Sequence, residues 1–399
     1  MTDIPQIEHA TASDGARIAC RRRPGDGAPV VFLHGLAVNA DLWDIPDIRA
    51  DTYEFRSLAT LLHERGYDLW LVNWRGHGAP HMLSAPPAAS DDYCVDDFIL
   101  YDLPAVLDLV CARTGAAPFV IGNSMGAMTL AGCLQGAVLV GDGAALRIVA
   151  DEQEAQRRQA QVAGGVFVEF PAQLRWPRSM YDDAGAVRWN EVLRDWSPRD
   201  PAMNYAFEAM ARSDWLRSAL HRTGRLPLDW LRPPPAAGAW WDALPPPLAD
   251  ALRWGNDAFA QALGTLVERA RGSKNLRPEV FTRGLLRAAD HLKAGVLDQM
   301  GKSVRARSFV SALGAPDHDY SAHYDRIEVP ALVIAGARDR IANADVTREA
   351  FFDRIRSRDK EFLLFDDLTH GEFEYTPAAT ERVYPRIIDW IARRDRRGT

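Results

Sequence analysis

Cysteine is scarce in this chain of 399 residues: Cys20, Cys94, Cys111 and Cys133 are the four, scattered and without a C-x-x-C pair or histidines at ligand spacing. They read as separate structural thiols in a reducing cytosol, and they give a metal site little support. Long apolar runs are missing too. No stretch approaches the roughly 18 uninterrupted apolar residues that a membrane-crossing helix needs. The opening MTDIPQIEHATASDGARIAC is acidic early and has no apolar centre, so it lacks the form of a secretory signal. A cytoplasmic location and no transmembrane segment are the expectation. Positive charge is not in excess, since 47 Lys and Arg stand against 54 Asp and Glu for a net charge of −7. That balance argues against a general nucleic-acid binder. The basic spots CRRRPG (20–25) and IARRDRRGT (391–399) are short, and read as a solvated turn and a frayed end.

What is present is a globular composition, 47% hydrophobic and 25% charged, in a chain long enough to bury a substantial core. PVVFLHG predicts a buried strand at roughly 29–34 that stops at His-Gly. ERGYDLWLVNWRGHG repeats the format: a helix end closed by Gly66, a strand at roughly 68–74, then a Gly-rich loop. DDFILYDLPAVLDLVCARTG has helical spacing, Asp at its start and Gly115 where a C-cap belongs. PFVIGNS is a third strand leading into the helix SMGAMTLAGCL, and GGVFVEFP (164–171) reads as another. Strands alternating with helices predict an α/β fold with a mostly parallel sheet covered on both faces.

From roughly 172 to 325 the texture changes to helical segments broken by LRPPPAAGAWWDALPPP. Eight of the 12 tryptophans lie there: Trp176, Trp189, Trp196, Trp215, Trp230, Trp240, Trp241 and Trp254. They suit the aromatic core of a helical subdomain, and some suit the wall of a greasy cleft. Strand–helix alternation resumes over 329–355, 360–375 and 377–394. The expected organisation is therefore a core in two parts, 1–171 and 326–399, interrupted by a helical cap at 172–325.

Ser124 stands in G-N-S-M-G, between an apolar strand and a helix. A serine hydroxyl is a weak nucleophile, so its oxygen must be presented on a sharp turn where a base can reach it. Gly122 and Gly126 would let neighbouring backbone approach, and the following helix aims N–H groups at developing negative charge. The base and its orienting acid must come from elsewhere in the chain. His370 follows the last expected strand in DDLTHGEF, and Asp339 follows the strand before it in VIAGARDRIAN. The chain order Ser124, Asp339, His370 is the nucleophile–acid–base order of a hydrolase triad. Asp366 and Asp367 are weaker candidates for the acid because they sit so near His370 in sequence. His34 would break the order as a base, and is expected to bond within its own loop. The N–H groups of Leu36, after the first strand, and of Met125, after the nucleophile, are the candidate oxyanion donors.

Through HGL at 34–36, NWRGHG at 73–78, GNSMG at 122–126, GARD at 336–339 and THG at 369–371, the chain resembles the α/β-hydrolase superfamily. The likeness spans roughly 29–170 and 329–394. Within the superfamily, GYDLWLVNWRGHG followed by YDLPA is similar to the acid lipase branch, although Asn123 and Met125 flank the serine where those lipases usually carry His and Gln. Polyhydroxyalkanoate synthases look similar around the same strand and helix but use cysteine, so serine favours hydrolysis. The resemblance implies a serine hydrolase that cleaves a hydrophobic small-molecule ester through an acyl-enzyme, with neither metal nor organic cofactor. An acyltransferase or thioesterase with the same triad, and a non-catalytic ligand-binding protein of the same fold, are the alternatives.

Overall fold

A computed structural model describes residues 5–79, 82–88, 92–184, 225–226 and 275–395. Eight strands form one sheet: β1 Gln6–Thr11, β2 Arg17–Arg23, β3 Pro29–Leu33, β4 Asp68–Val72, β5 Phe119–Asn123, β6 Gly164–Val168, β7 Ala331–Gly336 and β8 Lys360–Phe365. Their spatial order is β1-β2-β4-β3-β5-β6-β7-β8. The first two strands pair antiparallel with their neighbours and every later pair is parallel. The order reverses once, around β3 and β4. Parallel strands need crossovers, and the crossover helices cover both faces.

Alternate residues of one strand feed opposite cores. Val31 and Leu33 of β3 pack with Val120, Phe167 and Val333 under the helices α1 Leu103–Thr114 and α2 Met125–Leu134. Val30 and Phe32 pack with Ile121, Val166, Leu332 and Ile334 under Leu58–His63 and α3 Tyr384–Ala392. Both faces being buried explains why these strands read as unbroken apolar runs. Gly115 ends α1 with φ 66° and returns its N–H to the Cys111 carbonyl.

The sheet breaks off after β6 and resumes at β7. Within 172–325 the described residues include α4 Pro278–Ala288, α5 Ala294–Ala306 and a two-residue ladder of Arg225–Leu226 with Leu292–Lys293. Trp176 is half-buried, its N–H donating to the Tyr181 hydroxyl. Trp189, Trp196, Trp215, Trp230, Trp240, Trp241, Trp254 and the proline-rich 231–247 lie outside the described residues. Among the described residues no helix is long and apolar enough to cross a membrane.

Candidate active site

Ser124 caps the carboxyl end of β5 in a backbone conformation that side-chain-bearing residues rarely adopt, φ 49° and ψ −113°. Its own N–H is tied to the Val168 carbonyl at the end of β6, while its carbonyl accepts the N–H groups of Ala127 and Met128 and so starts α2. The flanking glycines are there because backbone fills the space around them. A Cβ on Gly122 would lie 2.7 Å from the Ala127 nitrogen, and one on Gly126 would lie 2.6 Å from the Leu33 carbonyl oxygen. The hydroxyl thus stands out from a corner whose inner side is packed solid, although the residue is only 8% exposed.

Asp339 follows β7 and is fully buried. One carboxylate oxygen accepts the N–H groups of Ile341 and Ala342 at 2.9 and 2.8 Å. The other lies 2.8 Å from His370 Nδ1, and His370 Nε2 lies 3.2 Å from Ser124 Oγ. The three residues named from sequence therefore meet in one hydrogen-bonded chain. With Nδ1–H donating to the carboxylate, Nε2 carries a lone pair that can accept the hydroxyl proton, the arrangement a general base requires. The alternative acids are elsewhere: Asp366 is exposed, and Asp367 pairs with Arg382 at 2.9 Å. His34 is buried in its own loop, with Nδ1 bonded to Gly35 O and Nε2 accepting the Trp74 N–H. Burial, with His77 nearby, drives its pKa down to about 3, so it is a neutral packing residue.

Leu36 and Met125, the candidate oxyanion donors, adjoin the serine corner: Met125 follows Ser124, and a Cβ on Gly35, the residue before Leu36, would lie 3.4 Å from the Ser124 Cβ. Met125 is the first residue of α2, whose leading N–H groups have no intrahelical acceptor. Leu36 lies on the loop after β3, and that loop is held from the interrupting segment. The Asn39 N–H donates to Ala288 O and the Asp290 N–H to Ala37 O. The buried Asp290 carboxylate accepts from Asn39 Nδ2 at 3.1 Å and from the Gly78 N–H at 2.9 Å.

Two further acids stand behind the Ser124–His370–Asp339 chain, and neither was singled out from sequence. Glu169 follows β6, is 1% exposed and has φ 50°. One of its oxygens accepts the N–H of Gly371, next to the histidine; the other lies 3.0 Å from Asn123 Nδ2 and 3.9 Å from His370 Nδ1. Glu374, equally buried, accepts from the same Asn123 Nδ2 at 2.8 Å. Burial, opposed by the Asn123 bond and reinforced by Asp339, pushes Glu374 up to about 8. Burial and Glu374 together push Glu169 well above the usual carboxylate range. A signal for Glu169 existed: it is a charged residue ending an apolar strand, as Ser124, Asp339 and His370 each follow theirs. Glu374 has no such signal, because GEFEY places it in a turn.

Glu169, Asp339 and His370 also bring ligand atoms within 4.8 Å of one another. The imidazole Nδ1 is already bonded to Asp339 and Nε2 to Ser124 Oγ, so the geometry suits proton transfer better than a metal.

Residues 28–134 match the family model described as alpha/beta hydrolase fold, and residues 236–374 match one described as serine aminopeptidase, S33. Human gastric triacylglycerol lipase is 36% identical over 105 residues, 25% of this chain and 24% of the lipase. Mouse lipase member K is 33% identical over 113 residues, 27% of this chain and 26% of that protein. The chain thus spans about a quarter of the length of the curated relatives it matches. A thermophilic esterase from Thermogutta terrifontis superposes with TM-score 0.50 at 14% identity, over 98% of this chain and 99% of the esterase. Sheet order, the strained serine corner and these likenesses agree that the chain is an α/β-hydrolase in fold, lipase-like in sequence over part of its length.

Proposed function

We propose that the protein is a serine hydrolase of carboxylic esters, with Ser124 as nucleophile, His370 as general base and Asp339 as the acid that orients it. The observation that carries this reading is the chain Ser124 Oγ–His370 Nε2–Asp339, at 3.2 and 2.8 Å, mounted on the strained corner of β5. His370 takes the hydroxyl proton as Oγ attacks the ester carbonyl. The imidazolium that forms is stabilised by Asp339, whose charge is held by the Ile341 and Ala342 N–H groups. The Leu36 and Met125 N–H groups receive the tetrahedral oxyanion. His370 then returns the proton to the leaving alcohol, and water releases the acyl group by the same steps in reverse. The lipase relatives support a hydrophobic acyl group, and 172–325 is the segment proposed to cover it as a cap.

The test is a panel of p-nitrophenyl acyl esters of increasing chain length, run on wild type and Ser124→Ala with fluorophosphonate labelling alongside. Wild type should turn over at least one ester and take the label. Ser124→Ala should lose about three orders of magnitude or more in kcat while keeping its melting temperature within a few degrees. Folded wild-type protein that neither turns over any ester nor takes the label would sink the hydrolase reading.

A further inference from the structure

Four neighbouring parallel strands each deliver a polar residue to the same end of the sheet: β5 Ser124, β6 Glu169, β7 Asp339 and β8, through its following turn, His370. Three of these have roles in the proposed chemistry, and Glu169 has none. We propose that Glu169 is a positioning residue for His370, a clamp that ties the histidine turn to the serine corner. This rests on the hydrolase reading above.

The geometry is specific. The Gly371 N–H to Glu169 bond fixes the backbone immediately after His370. The Asn123 amide to Glu169 bond fixes the residue immediately before Ser124. One carboxyl therefore spans nucleophile and base through their chain neighbours, without touching the reacting oxygen. The Asn123 amide also reaches Glu374, four residues beyond the histidine, so the turn is held at two points. His370 lies in the irregular stretch 368–376, outside any helix or strand, and the Thr369 N–H to Glu372 bond at 2.8 Å is a further local brace. Without the clamp the imidazole would depend on Asp339 alone for its position, and about an ångström of drift at a base can cost about 100-fold in rate.

Charge decides how the clamp must work. The groups facing Glu169 are Asp339, His370, Glu374 and, beyond them, the Tyr384 phenol. Asp339 already supplies the negative charge that one imidazolium needs. Burial and the neighbouring Glu374 raise the Glu169 carboxyl well above the usual carboxylate range, which favours its protonated form and disfavours a second buried charge beside Asp339. Its contribution to the clamp is accepting oxygens. In alkaline solution the acid pair loses a proton, and negative charge then appears behind the imidazole and favours its protonated form in the transition state.

The experiment measures kcat and KM from pH 6 to 9.5 for wild type, Ser124→Ala, Glu169→Ala and Glu169→Gln on the best ester of the panel, with melting curves for each. Glu169→Ala should lower kcat about 10–100-fold with KM within about twofold. Glu169→Gln keeps the volume but only one of the two accepting oxygens, so at pH 7 it should recover part, and not all, of the kcat lost in Glu169→Ala. Its acid limb should coincide with that of wild type, and its alkaline limb should rise less than that of wild type, because Glu374 is then the member of the pair left to titrate behind the imidazole. Wild-type kcat in Glu169→Ala would overturn the proposal, as would an acid limb displaced to lower pH in Glu169→Gln, which would mean the carboxyl had been charged. An inactive wild type would fail the hydrolase reading instead. Should Glu169→Ala not fold, Glu169→Gln still decides, because its two limbs are read independently.

Discussion

At Gly126 one added methyl group would meet the Leu33 carbonyl oxygen at 2.6 Å and the His34 carbonyl oxygen at 2.9 Å, both backbone atoms with no rotamer to retreat into. Gly126→Ala must therefore push α2 away from the loop after β3. The two proposed oxyanion donors, Leu36 and Met125, are on those two elements, so they would separate. The expected result is about 1–3 kcal/mol of destabilisation, read as a lower denaturant midpoint, with a fall of about tenfold or more in kcat from an impaired oxyanion site. Unchanged kcat in a destabilised protein would dissociate that packing from the site. This glycine was legible in the sequence because a serine mount demands it. The same logic found Asp339 and His370, since each follows an apolar run whose end must lie at one edge of a parallel sheet. It passed over Glu169 because a lone carboxylate after a strand ordinarily meets water. What holds this one inside is Asn123, and no spacing rule links Asn123 with Glu169 and Glu374.

The elements that carry the site are joined by buried polar side chains more than by their own regularity. Arg75 of the NWRGHG turn bonds Asp102 of the YDLPA segment at 2.9 and 2.6 Å, and reaches Asp14 at 2.6 Å. Those are the segments on which the acid lipase resemblance rests, so part of that likeness records a buried ion pair that holds a turn to a helix. Likewise, Asp290 ties the segment after α4 to the loop bearing Leu36. Asp290→Ala would leave the Asn39 amide and Gly78 N–H without their carboxylate, costing about 2–4 kcal/mol. Because the loop of Leu36 is one of the things released, kcat should fall with stability, and kinetics well below the melting temperature separate the two effects. A melting temperature like that of wild type would remove Asp290 from this role. The sequence reveals the strands of the sheet because burial on both faces makes them continuous apolar runs. It reveals the helix 96–115 through its spacing and Gly115, but not the wide turn over Phe98–Asp102, because a single wide turn hardly disturbs an apolar stripe.

For the molecule as a whole, the buried titratable groups set how stability varies with pH. Burial first, with bonds from neighbours partly opposing it, pushes Asp96 and Asp102 up to about 6 and Glu374 up to about 8. Burial first pushes His34 down to about 3 and His318 down to about 4. An unfolded carboxyl titrates near about 4, so a raised folded value means the native state binds the proton more tightly. Stability from such a group is present at low pH and is lost as pH rises through the folded value. The histidines act in the opposite sense: their contribution is full above the unfolded value of about 6.5 and declines as pH falls below it. Between about pH 6.5 and 8 the histidine terms are therefore nearly constant, while Glu374, with Glu169 in the same sense, makes the native state increasingly costly as pH rises. The melting temperature should climb when pH is lowered from about 8 to 6.5. Glu374→Gln retains an oxygen to accept from Asn123 but has no proton to lose, so its melting temperature should vary less over that window. Calorimetry of the two proteins in buffers of matched ionic strength checks this. If the glutamine variant kept the wild-type slope, the buried acid behind His370 would not be what makes the fold sensitive to mild alkali.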